Sequence, residues 1–212
     1  MNLVLGGGLV VALALPAGMA AVLTMGSAMS APAASAQALA GIPGSLLVAY
    51  KTAASDCPGL PWTVLAAIGE VETDHGRSGG ARLAPDGHVA PRIRGPVLDG
   101  SSGTARVLDS DGGHIDGDSS LDRAVGPMQF LPGTWSRWGR DASGDGLADI
   151  DNAYDAIASA AAYLCGESGR VGDIPAAVAR YNHTAAYVER VLSVAATYGS
   201  ANNVVLPGPG ID

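Results

Sequence analysis

The residues best suited to acid–base chemistry lie in Ala67-Ile68-Gly69-Glu70-Val71-Glu72-Thr73-Asp74-His75-Gly76-Arg77, where a carboxylate closes an otherwise apolar run. The spacing predicts a helix that opens near Pro61, whose missing N–H suits a first turn, runs through Trp62, Val64, Leu65 and Ile68, and ends at Gly76. Leu65, Ile68 and Glu72 then stand at i, i+3 and i+7, so Glu72 shares the core-facing stripe while Glu70 points elsewhere. A carboxylate on that stripe loses hydration. Its charged form is disfavoured and its pKa rises, as an acid that must donate a proton near neutral pH requires. Capping, pairing with Arg77 or simple exposure would also explain a Glu near a helix end, and this segment alone leaves those readings open.

Two further motifs bear on the choice. Arg123-Ala124-Val125-Gly126-Pro127-Met128-Gln129-Phe130-Leu131-Pro132-Gly133-Thr134-Trp135 is followed much later by Ala179-Arg180-Tyr181-Asn182-His183. In this order the three segments resemble the lytic murein transglycosylases of the lysozyme-like superfamily, where a Glu followed by Ser or Thr, a Gly-x-Met-Gln turn and a Tyr-Asn pair surround a sugar-cleaving site. The resemblance runs from about Tyr50 to Tyr198. The membrane-bound type B group and its actinobacterial relatives look closest, because Gly76-Arg77 follows Glu72-Thr73, and Ser143-Gly144-Asp145-Gly146 precedes Asp155-Ala156-Ile157.

The resemblance implies a mainly α, lysozyme-like single catalytic domain acting on peptidoglycan glycan strands. Glycoside hydrolases usually need two carboxylates, and only Glu72 sits in a matching motif. In the family resembled one Glu suffices: it protonates the glycosidic oxygen, then accepts the proton of the substrate's own C6 hydroxyl, leaving a 1,6-anhydro-muramyl end. By that pattern Gln129 and the backbone around Met128 hold the N-acetylated sugar, with Thr73, Phe130 and Asn182 as further substrate contacts and Tyr181 orienting or hydrogen-bonding Glu72. A hydrolytic muramidase, with Asp74, Asp118 or Asp122 as second carboxylate, is the alternative. A catalytically silent wall-binding component of a secretion or conjugation apparatus is a third reading.

Composition fits an exported enzyme. The 212 residues are 48% hydrophobic, enough for one domain with a sizeable core. A net charge of −8 leaves no basic stripe for phosphate backbones and excludes nucleic acid as the expected partner. It also gives no electrostatic steering towards an anionic wall, so binding must come from hydrogen bonds and aromatic contacts. With three Trp, six Tyr and one Phe, Trp62, Trp135 and Trp138 are candidates for sugar platforms, although core is the ordinary place for each.

The first fifty residues carry no Asp, Glu, Lys or Arg, and residues 3–25 are nearly continuous apolar sequence. That length could span a bilayer as an anchor. Ala34-Ser35-Ala36 and Ala36-Gln37-Ala38 are small-x-small patterns of the kind signal peptidase cuts, so secretion and membrane anchoring both stand. Residues 1–40 are read as signal or anchor plus an Ala/Ser/Pro-rich linker that does not look folded, 41–198 as the catalytic domain, and 199–212, with Pro-Gly-Pro-Gly, as a disordered tail. In an exported chain the two cysteines, Cys57 and Cys165, read as a disulfide.

Between Ser78 and Asp122 the chain turns rich in Gly, Asp, Pro and Ser, which predicts a long irregular excursion with one short hairpin beside the cleft, and Asp109, Asp111, Asp116 and Asp118 mainly as turn residues. From Asp141, oxygen side chains recur at positions 1, 3, 5 and 9 with Gly at 6, which is calcium-loop spacing. Asp141, Ser143, Asp145, the Leu147 carbonyl and Asp149 would converge. Position 12 holds Asn152 where an EF-hand has Glu, so Asp155 is the candidate to close a structural calcium site, and no cofactor is expected for catalysis. Helical spacing returns at 153–164, 174–181 and 186–198.

Overall fold

The computed structural model describes residues 32–101 and 103–199. The expected signal or anchor at 3–25 and the tail beyond Gly199 lie outside them. Seven helices carry the described residues: α1 (Ala36–Gly41), α2 (Gly44–Ser55), α3 (Trp62–Thr73), α4 (Pro132–Trp138), α5 (Ala153–Cys165), α6 (Ile174–Tyr181) and α7 (Ala185–Tyr198). The mainly α expectation is met. Among the described residues no helix is long and apolar enough to cross a membrane.

α3 is the axis of the fold. Every residue from Trp62 to Gly69 is buried, and the helix packs on α2, α5 and, most extensively, α7. It can be enclosed because its buried wall is apolar apart from Thr63 and Thr73 and because Gly69 admits Tyr50 of α2, whose hydroxyl would lie 2.0 Å from any Cβ placed there. α2 turns Leu46, Tyr50, Ala53 and Ala54 inward, at i, i+4, i+7 and i+8. The disulfide Cys57–Cys165 joins the chain just beyond α2 to the last residue of α5 and braces that pair. Caps start the later helices: the Asn152 side chain accepts from Tyr154 N–H at α5, and Asp173 from Ala176 N–H at α6.

Several boundaries differ from the sequence expectation. Pro61 caps α3 rather than occupying its first turn, and the helix ends at Thr73, ahead of Gly76, where Asp74 turns left-handed with φ 51°. Residues 32–40, expected as an unfolded linker, are built into the domain. Ser35 caps α1, its backbone N–H and hydroxyl both donate to the end of α7, Ala38 is completely buried, and the Trp62 indole donates to Pro32 O at 2.9 Å. Small residues such as Ala38 are what close packing needs, so a composition that resembles a linker also suits a strap laid along the domain surface.

The 78–122 excursion carries the expected short hairpin, β1 (Arg82–Leu83) with β2 (Val89–Ala90), and a second antiparallel ladder pairs β3 (Arg94–Val97) with β4 (Arg123–Val125), just past Asp122. The second brings the Gly-Pro-Met-Gln turn to the end of α3. Trp62 and Trp135 are core residues, 2% and 7% exposed, and Trp138 is half-buried under Arg137.

Candidate active site

Glu72 lies in the last turn of α3, half-buried, as its place on the core stripe requires. Burial pushes its pKa from 4.5 up to about 7, and a hydrogen bond from Tyr187 opposes that rise. The Tyr187 hydroxyl, from the first turn of α7, donates to Glu72 Oε1 at 2.6 Å. Oε2 is left for a reacting proton.

The wall beside Glu72 is the turn from Val125 to Phe130, closed by reciprocal backbone hydrogen bonds of 2.8 and 3.0 Å. Gly126 is required there, since φ is +79° and a Cβ would meet Ile150 O at 2.0 Å. Thr73 ties the helix to this turn. Its hydroxyl donates to Pro127 O at 2.5 Å and accepts from Gly76 N–H at 2.9 Å. With 1% exposure and both bonds spent, Thr73 positions Glu72 and offers nothing to a sugar.

Met128 and Phe130 are likewise closed to solvent, at 1% and 2% exposure, so their expected part in substrate binding reduces to what the backbone supplies. Phe130 packs edge-on against Trp135, Tyr163 and Tyr181. Gln129 is half-buried with φ +51°, and its amide donates to Gly126 O at 2.9 Å, which leaves the side-chain carbonyl as the free function. Tyr181 stands close enough for Glu72 to raise its pKa further beyond what burial does, yet its hydroxyl donates to Met128 O at 2.7 Å. The hydrogen bond expected from Tyr181 to Glu72 comes from Tyr187 instead. Asn182 is exposed and shapes the link between α6 and α7 by accepting from the Thr184 N–H and hydroxyl.

None of the three Asp residues named as a second carboxylate is free. Asp74 holds Arg77 at 2.6 and 3.1 Å, which lowers its pKa. Asp118 accepts from Ser120 and Leu121 N–H, and Asp122 from the Ser110 N–H and hydroxyl. Asp109, Asp111 and Asp116 are turn residues as expected, accepting backbone N–H groups at 2.6–3.2 Å.

The 141–155 loop is closed by hydrogen bonds. Asp155, completely buried, accepts from the N–H of Ala142, Ser143 and Asp149; Asp141 accepts from Gly144 and Gly146, and Asp145 from Leu147. The Leu147 side chain is 71% exposed. Among the described residues the carboxylate oxygens that gather within 4.8 Å of one another are those of Asp109, Asp111 and Asp122, not those of Asp141, Asp145 and Asp155. Asp155 therefore organises the loop's backbone rather than pointing at a common centre with the other two.

Residues 110–172 match the family model described as Transglycosylase SLT domain. The matched segment is less than a third of the chain. It includes the Gly-Pro-Met-Gln turn, the 141–155 loop and α5, and it stops short of α6 and α7. No curated protein matches the chain significantly. Among solved structures, the Escherichia coli lytic transglycosylase Slt35 in complex with bulgecin A is similar at 15% identity and a TM-score of 0.44, over 75% of each chain.

Proposed function

We propose that the protein is a peptidoglycan lytic transglycosylase that cleaves the β-1,4 bond between N-acetylmuramic acid and N-acetylglucosamine, with Glu72 as acid and then base. The observation that carries the reading is the state of Glu72: one carboxyl group, half-buried, with a pKa of about 7 and one tyrosine donor. Near neutral pH it can hold a proton and release it. Glu72 Oε2–H donates to the glycosidic oxygen as the C1–O bond breaks, and the neighbouring N-acetyl group steadies the cation-like carbon. The carboxylate then takes the C6 hydroxyl proton as that oxygen bonds to C1, which leaves a 1,6-anhydro end and consumes no water. Absence of a free partner at Asp74, Asp118 and Asp122 favours this route over hydrolysis.

Gln129, the turn backbone and Asn182 are the proposed contacts to the N-acetylated sugar. The glycan strand is the partner, and the acidic surface disfavours nucleic acid. Export, by secretion or with the N-terminal segment retained as a membrane anchor, is part of the proposal; a disulfide and the apolar 3–25 stretch support it. Digestion of purified peptidoglycan tests the assignment. Glu72→Gln retains fold and sugar binding and loses turnover, while Glu70→Gln keeps it. Near wild-type digestion by the Glu72 variant would refute the role.

A further inference from the structure

Behind Glu72 runs a second chain of buried polar groups that the proposed reaction does not use. His75 is 1% exposed, just past the end of α3, with Nδ1 3.1 Å from the Tyr50 hydroxyl of α2 and Nε2 3.0 Å from the Tyr198 hydroxyl of α7. The Tyr198 hydroxyl donates in turn to Glu70 Oε2. Donor count fixes the tautomer. Because Tyr198 gives its proton to Glu70, Nε2–H must donate to Tyr198, and Nδ1 must accept from Tyr50. The ring is neutral, and burial lowers its pKa to about 4. The charged groups around the chain are Asp74 and Arg77 beyond α3 and Arg190 on α7.

Tyr187, Val191, Ala195 and Tyr198 fall at i, i+4, i+8 and i+11, one face of α7, and that face lies on α3. The two tyrosines at its ends grip the two carboxylates at the end of α3, with Val191 and Ala195 buried between them. We infer that Tyr198, held between Glu70 and His75, is a positioning residue that sets the pose of α7 and so keeps the Tyr187 hydroxyl on Glu72; this rests on Glu72 being the acid of the proposed reaction. With the Tyr198 end released, α7 pivots about its small central residues and the Tyr187 bond lengthens.

The test is the titration of the Glu72 carboxyl, followed by NMR in protein carrying 13C-labelled glutamate and assigned with Glu72→Gln. Tyr187→Phe removes the bond that favours the carboxylate and raises the midpoint by about one pH unit, the size of one hydrogen bond to a charged group. Tyr198→Phe, which touches no Glu72 atom, raises it in the same direction by about half a unit or more on the same scale. Glu70→Gln, which keeps an acceptor for Tyr198 and deletes only the neighbouring negative charge, does not raise it. A folded Tyr198→Phe protein with the wild-type midpoint overturns the inference, as does a Tyr187→Phe midpoint that does not rise. Should Tyr198→Phe not fold, Glu70→Ala releases the same hydroxyl from α3. Its midpoint must lie above that of Glu70→Gln, which deletes the same charge but keeps the acceptor, and a midpoint equal to or below that of Glu70→Gln overturns the inference. The titration needs no turnover, so wild-type protein that leaves peptidoglycan intact refutes the proposed function separately.

Discussion

Replacing Glu72 with Gln should stabilise the protein, and the gain should depend on pH. The wild-type carboxyl is lifted from 4.5 to about 7 chiefly by burial. Below about pH 4.5 it is protonated folded and unfolded, so it contributes no pH-dependent cost. Between about 4.5 and 7 the native state must retain a proton that the unfolded chain has released, or carry a poorly hydrated charge, and stability falls by about 3 kcal/mol over that window. Gln is neutral throughout, and its side-chain oxygen can still accept from Tyr187. The variant's advantage over wild type should therefore be about 3 kcal/mol larger at about pH 8 than at about pH 4, an upper figure because Glu72 keeps some contact with water. His75 titrates in both proteins and cancels. Urea denaturation at the two pH values, with the disulfide intact, measures the difference. An equal gap at both pH values would refute the claim that burial holds Glu72 as an acid, and a destabilised variant at the higher pH would do so more strongly.

His75 gives the opposite slope. Burial lowers its pKa from 6.5 to about 4, so the unfolded chain binds the proton first, and stability is lost as pH falls through that window by about 3 kcal/mol. Denaturation of His75→Gln should show that acid limb flattened. Thr73→Val keeps the shape but leaves Pro127 O and Gly76 N–H unpaired in a buried place; it should cost about 2–3 kcal/mol in unfolding free energy, with Thr73→Ser restoring most of it. Calcium binding at 141–155 is proposed from the spacing of Asp141, Ser143, Asp145, Leu147 and Asp155, and occupation of that site would have to draw Asp155 out of its present backbone hydrogen bonds towards Asp141 and Asp145. Millimolar calcium should raise the melting temperature of chelator-treated protein by several degrees, since a hundredfold excess over Kd adds about 2.7 kcal/mol, and Asp145→Ala should abolish the rise. A flat response would leave the loop to its hydrogen bonds alone.

Glu72 was legible because a 3.6-residue period is local: Leu65, Ile68 and Glu72 announce one face without knowledge of what covers it. Tyr187 was not, because its partner lies 115 residues away in the chain, and pairing across that distance leaves no local period. A signal existed nonetheless in the apolar stripe of α7, which carries a tyrosine at each end, each with a hydroxyl that burial obliges to find an acceptor. Tyr181, in the Tyr-Asn pair of the resemblance, spends its hydroxyl on Met128 O in the 125–130 turn. The strap at 32–40 is not legible from composition because Ala and Ser serve a tight packing seam as well as a linker. The ladder of β3 with β4 was not legible because strands of four and three residues are too short to show alternation.

The central claim, that one carboxyl group cleaves the glycan without water, is tested most directly by mass spectrometry of the muropeptides released from purified peptidoglycan. The account predicts 1,6-anhydro ends, one water lighter than hydrolytic products, from the wild type and none from Glu72→Gln. Reducing muramic acid ends would contradict it in favour of a hydrolase with a second carboxylate, and no released product at all would contradict the assignment as an enzyme.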